Sequence, residues 1–215
     1  MKKTSIFATT LLALAISSAA QSASNDSIIN QEGVSNSSYV NQVGPGTGDP
    51  GSNSTIDQIG NSNFSRVSQE TVAGNTHSST IYQNGESNSA VIDQTADSDG
   101  PTAFYKNNVS DVEQLGGNNE ANVSQSDRGG HVSDIDQSGN YNSAEVLQTF
   151  SSNESYIIQG GYNNHADVWQ YGASGESHVT QGGMSNTAYI VQGGYNNGST
   201  VTQNGNYNFA NVNQN

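Results

Sequence analysis

Glutamine falls at positions 159, 170, 181, 192, 203 and 214, every eleventh residue without a break. Between Asn153 and Gln214 one 22-residue phrase is spoken three times. Gly161, Gly183 and Gly205 lie two residues after the first glutamine of each pair. Asn164, Asn186 and Asn208 lie five after it, and Ala166, Ala188 and Ala210 seven after it. A fixed period of this length marks a repeat architecture, and it limits the fold before any local propensity is consulted.

The same template of eighteen residues recurs upstream with longer spacers. Eight units fit it: 25–42, 52–69, 77–94, 108–125, 131–148, 153–170, 175–192 and 197–214. Glutamine holds the seventh and last positions throughout, as Gln31/Gln42, Gln58/Gln69, Gln83/Gln94, Gln114/Gln125, Gln137/Gln148, Gln159/Gln170, Gln181/Gln192 and Gln203/Gln214. Glycine holds the ninth, as Gly33, Gly60, Gly85, Gly116, Gly139, Gly161, Gly183 and Gly205. Asparagine holds the twelfth, as Asn36, Asn63, Asn88, Asn119, Asn142, Asn164, Asn186 and Asn208. The third is always serine, and the residue two before each glutamine is always Ile or Val.

Ser, Ile/Val, Gln and then Asn, Ala/Ser, Val/Ile, Gln alternate with free positions at period two. That is strand periodicity, with one face held uniform. Four residues containing the glycine separate the two runs and predict a tight turn with positive φ there. Each unit therefore reads as strand–turn–strand. The spacers carry all three prolines, Pro45, Pro50 and Pro101, which keeps them out of the strands.

One unit buries two aliphatic side chains and an alanine or serine, too little to offset the ordering of eighteen residues. Stacking solves this, since each strand gains hydrogen bonds above and below. The expected fold is an all-β parallel β-solenoid of the cross-β kind, with eight rungs at about 4.8 Å and two facing parallel sheets. Stacked side-chain amides can satisfy one another along a column, so the Gln and Asn columns are read as interior ladders. Replacing one with an apolar residue leaves its neighbours half-satisfied, at roughly 1–3 kcal/mol each.

The pattern Ser-x5-Gln-x-Gly-x2-Asn-x-Ala-x3-Gln, as in Gln137–Gln148, resembles the curlin repeat of curli fibre subunits, the functional amyloid of bacterial biofilms. The resemblance spans 25–214. The first position is Asn, His or Gly more often than Ser (His77, His131, Gly175), Ser38 and Ser65 stand where the pattern has alanine, and the units outnumber those typical of the family. It implies an extracellular fibre for biofilm matrix, adhesion and aggregation, a dedicated outer-membrane secretion channel with accessory proteins, and a nucleating partner subunit. The regular final unit favours the major subunit over the minor nucleator.

Assembly is also expected from the units themselves. Unit one follows the leader directly and unit eight ends one residue before the terminus, which leaves no cap of the kind monomeric solenoids carry. Open sheet edges template further copies, and head-to-tail addition does not close. The expected principal partner is the chain itself.

Residues 1–23 read as a secretory signal, with Lys2 and Lys3 before a short apolar run and small residues at the exit. No second apolar stretch follows, so no membrane span is expected. The formal charge is −14, and downstream of the leader the only cations are Arg66, Lys106 and Arg128. Nothing there could replace phosphate counterions, which excludes nucleic acid as a partner. There is no cysteine, hence no disulfide and no catalytic thiol.

Asp111, Glu113, Asp134 and Asp136 occupy outward positions in units four and five, like opposite like if the rungs stack. They read as gatekeepers that slow premature assembly, in preference to a carboxylate cation site. His77, His131, His165 and His178 lack regular ligand spacing. No cofactor, metal or enzymatic activity is expected. An ice-binding solenoid would need a regular Thr-x-Thr face, met only at Thr200 and Thr202. A polysaccharide-cleaving helix would need a wider coil and a mixed-charge groove.

Overall fold

The computed structural model describes residues 25–44, 51–72, 74–95 and 107–215. The expected leader, the three prolines and Lys106 lie outside the described residues. The described chain is all-β: β1 (Asp26–Val34), β2 (Ser37–Val43), β3 (Asn53–Asn61), β4 (Phe64–Glu70), β5 (Ser78–Glu86), β6 (Ser89–Thr95), β7 (Val109–Gly117), β8 (Glu120–Gln125), β9 (Val132–Asn140), β10 (Ser143–Gln148), β11 (Glu154–Tyr162), β12 (His165–Gln170), β13 (Glu176–Met184), β14 (Thr187–Gln192), β15 (Gly198–Asn206) and β16 (Phe209–Gln214). Odd strands form one eight-stranded parallel sheet in chain order, and even strands form the other. The result is the expected β-solenoid, one strand per sheet in every rung.

Register follows the template. Gln83 lies opposite Gln58 and Gln114, and Gly85 opposite Gly60 and Gly116. The uniform face of each strand points inward, so β3 buries Ser54, Ile56 and Gln58 while β4 buries Ser65, Val67 and Gln69. The apolar core is a file of one aliphatic side chain per strand with alanines beside it, running from Val40 to Val201. Each such Ile or Val contributes about 1.5–3 kcal/mol, against about 1–2 kcal/mol per residue for backbone ordering. A rung alone is unstable, and the stack is the cooperative unit.

The connection between paired strands is shorter than the four residues expected. In the first rung β1 runs on through Gly33 to Val34, and only Ser35 and Asn36 separate it from β2. Two residues per unit have positive φ. The glycine lies between +103° and +144°, and the residue two later lies between +54° and +61°. That second residue is Ser35, Ser62, Ser87, Asn118, Tyr141, Asn163, Ser185 or Tyr207, never glycine. From the second rung on, its left-handed conformation is held from outside: Ser87 donates its N–H to the Asn61 carbonyl, and Asn118 donates to that of Glu86. Rung-to-rung bonding fixes the backbone there and leaves the side chain free to vary.

Candidate functional site

The features repeated in every rung are stacked side-chain amides, and among the described residues the stack has two edges. Along the first glutamine column every Nε2 donates to the Oε1 of the next rung, as in Gln58 to Gln83 at 2.7 Å and Gln114 to Gln137 at 2.8 Å. The second column does the same, with Gln69 to Gln94 at 2.8 Å and Gln148 to Gln170 at 2.9 Å. The remaining N–H of each amide crosses the core. Gln83 donates to the Phe64 carbonyl at 2.9 Å, and Gln94 to the Ser78 carbonyl at 3.2 Å. Glutamine thus ties rung to rung and sheet to sheet, with both donors used. In the first two rungs Ser38 bonds Gln31 and Gln58, and Ser65 bonds Ser38, in the column that otherwise holds alanine.

The asparagine column differs from the expected amide-on-amide stack. Asn63 accepts the backbone N–H of Asn88 on its Oδ1. Its Nδ2 donates to the Ile59 carbonyl at 3.2 Å, closing its own turn, and to the Gly85 carbonyl one rung on at 3.0 Å. Direct asparagine-to-asparagine bonds join this network only among Asn142, Asn164, Asn186 and Asn208. The short side chain serves the turn carbonyls throughout, and where it also reaches a neighbouring rung, as Asn186 does to Asn164 at 3.0 Å, those carbonyls stay paired. The glycine carbonyl it reaches is also why glycine is required. A Cβ on any of Gly33 to Gly183 in this column would lie 1.8–2.2 Å from the carbonyl oxygen of the glycine one rung on.

Two histidines prove to be part of the scaffold. His77 and His131 are 1% and 0% exposed and open their units in a column otherwise made of Asn25, Ser52, Asn108, Asn153, Gly175 and Asn197. Asn25 Oδ1 accepts the Ser52 N–H, and Asn108 Oδ1 accepts that of His131. His77 Nδ1 does the same for Asn108, and His131 Nδ1 for Asn153, both at 3.3 Å. Their Nε2 atoms bond the carbonyls of Glu70 and Ser126. This needs the neutral Nε2–H tautomer, and burial lowers the His77 pKa to about 4. The sequence signal is a column of side-chain acceptors in every unit but the seventh, where Gly175 stands, and in it imidazole nitrogen can replace amide oxygen.

Asp111 pairs with Asp134, and Glu113 with Asp136, on adjacent strands. Burial, and then Asp136, Asp111 and Glu113, push the Asp134 pKa up to about 6; burial and Asp136 also raise that of Asp111. No group of three or more carboxylates or histidines among the described residues is arranged to hold a metal ion. A raised folded pKa costs stability as pH rises through it, so Asp134→Asn should stabilise the chain at pH 7.5 by about 1 kcal/mol after solvent screening. The gain should vanish below about pH 4. Urea midpoints at both pH values check this, and an unchanged midpoint at pH 7.5 refutes it.

Among the described residues the two ends of the stack are unpaired and unlike: β1 and β2 pair only with β3 and β4, and β15 and β16 only with β13 and β14. Gln31 and Gln42 donate into the stack, and among the described residues nothing donates to their Oε1 atoms. Gln203 and Gln214 each donate once, to Thr187 and Gly198, leaving one N–H at the opposite edge. There the core opens between β15 and β16 as a depression of about 480 Å³ lined by Val201, Gln203, Phe209, Ala210 and Val212. One end offers amide acceptors and the other amide donors. No described helix is long and apolar enough to cross a membrane. No protein-family model matches the chain, and no curated protein matches it either.

Proposed function

We propose that the chain is a secreted structural subunit that adds head to tail to copies of itself, forming an extracellular fibre of the curlin type. The observation that carries this is the complementarity of the edges. Gln203 and Gln214 offer N–H donors in the columns where Gln31 and Gln42 offer acceptors. Val201 and Val212 end the aliphatic file that Ile29 and Val40 begin. Donor-to-acceptor polarity permits unlike ends to join and forbids like ends, so the assembly is a polar filament that cannot close. The carboxylates of rungs four and five act as gatekeepers, resisting stacking until the rest of the ladder is in place. The resemblance to curlins adds a biofilm matrix and adhesion role, a nucleating subunit and an outer-membrane secretion channel.

The test is to dilute residues 24–215 from denaturant at neutral pH and follow assembly by electron microscopy and fibre diffraction. Unbranched fibres with a reflection near 4.8 Å are expected, growing from added seeds. A chain that folds and stays monomeric even with seeds present would overturn the reading.

A further inference from the structure

The outward face of the even-stranded sheet carries a chain of rings that runs off its open edge. His165 stands 5.6 Å from Tyr189, and Tyr189 stands 5.9 Å from Phe209. His165 and Phe209 occupy the first outward column of their strands, and Tyr189 the second. The rings therefore zigzag between two columns, one step per rung. Phe209, at the edge, is 67% exposed.

The opposite edge carries the continuation. Tyr39 lies in the second outward column of β2, and Phe64 in the first column of β4. They are 37% and 41% exposed. If rung eight meets rung one of another copy at the spacing and register used inside the chain, Phe209 stands to that Tyr39 as His165 stands to Tyr189. Tyr39 and Phe64 hold the same two columns, one rung apart, that Tyr189 and Phe209 hold. We propose that Phe209 and Tyr39 form an aromatic clasp across the subunit junction, and that the clasp selects the orientation of the incoming copy. This rests on the head-to-tail reading above.

Selection is needed because the ladders alone do not supply it. Both strands of a rung present an aliphatic residue followed two later by glutamine, so a copy docked half a turn around still meets Gln with Gln and Val or Ile with Val or Ile. The outward residues break that symmetry. The odd-stranded sheet ends in Thr200 and Thr202 and begins with Ile28 and Asn30. In the rotated docking Phe209 faces no ring, and in the correct one it completes a pair that adds to burial alone.

The test measures elongation of wild-type seeds by monomers of residues 24–215 carrying Phe209→Ala, Tyr39→Ala, both, or Tyr162→Ala, a half-exposed ring of the sixth rung. Phe209 is exposed, so its truncation leaves the monomer folded, which circular dichroism verifies. Phe209→Ala and Tyr39→Ala should each slow elongation about three- to tenfold. The double variant should be no slower than the slower single one, Phe209→Tyr should restore the rate, and Tyr162→Ala should match wild type. Wild-type elongation by Phe209→Ala, or losses that multiply in the double variant, would overturn the clasp while leaving the fibre reading intact. Failure of the wild-type chain to elongate would overturn both.

Discussion

Gly161→Ala should cost more than about 4 kcal/mol, while Gly160→Ala, one residue away in the same strand, should cost nothing or stabilise slightly. Both glycines lie in β11 and both are paired across the sheet. Gly161 has φ +103°, and a Cβ there would stand 2.2 Å from the Gly183 carbonyl oxygen. No side-chain motion relieves a contact with backbone. The rungs must separate, taking with them the Asn142 bond to the Gly161 carbonyl and the Asn164 bond to that of Gly183. Gly160 has no positive φ, and its nearest obstacle would be Ser138 Oγ at 3.6 Å. Alanine there should only reduce the freedom of the unfolded chain. Urea unfolding of both variants tests the contrast, and losses within 1 kcal/mol of each other would refute it. Gly205→Ala supplies a third case. It shares the positive φ but meets only Asn208 Nδ2, at 3.6 Å. The monomer should fray locally at β15, and if copies add head to tail as proposed, ends formed by this variant should stop accepting them, because a Cβ would occupy the place of the next glycine carbonyl.

The columns were legible because each holds one chemical type at one spacing, and a parallel stack is the arrangement in which such columns touch themselves. Sheet number, strand direction and register all follow from that. The turn was only half legible. Glycine was visible because its requirement is steric and absolute, but the left-handed residue two later was not. Serine, asparagine and tyrosine all serve there, since the conformation is imposed by bonds from the rung before and by the asparagine that follows. The sequence shows an asparagine column as regular as the glutamine ones, but not that one methylene fewer redirects its amide to the backbone. His77 and His131 show no ligand spacing in the sequence. Their role shows only when the first positions of the units, Gly175 apart, are compared by acceptor capacity instead of by residue name.

Acid should weaken the stack, and one histidine should account for a measurable part of that. The His77 pKa falls from 6.5 to about 4 on folding, because burial opposes the charged ring. The unfolded chain therefore binds more protons than the folded one between those values. Stability is fully present above pH 6.5 and is lost as pH falls through 4, by about 3 kcal/mol for a single site. The structural cause is specific: a proton on Nδ1 removes the acceptor for the Asn108 N–H, which is buried with it. Other groups titrate the opposite way over the same range. Asp134 gains stability on protonation as its repulsions are relieved, and the His165 pKa is raised by its hydrogen bond to Asp167. The net profile is thus shallower than His77 alone dictates, and the informative quantity is a difference. His77→Asn places in this rung the residue found at the same position in rungs one, four, six and eight, with an oxygen acceptor that does not titrate. Its urea midpoint should match wild type at pH 7.5 and exceed it at pH 4. Equal acid loss in both chains would show that the ring nitrogen is not what joins rungs three and four.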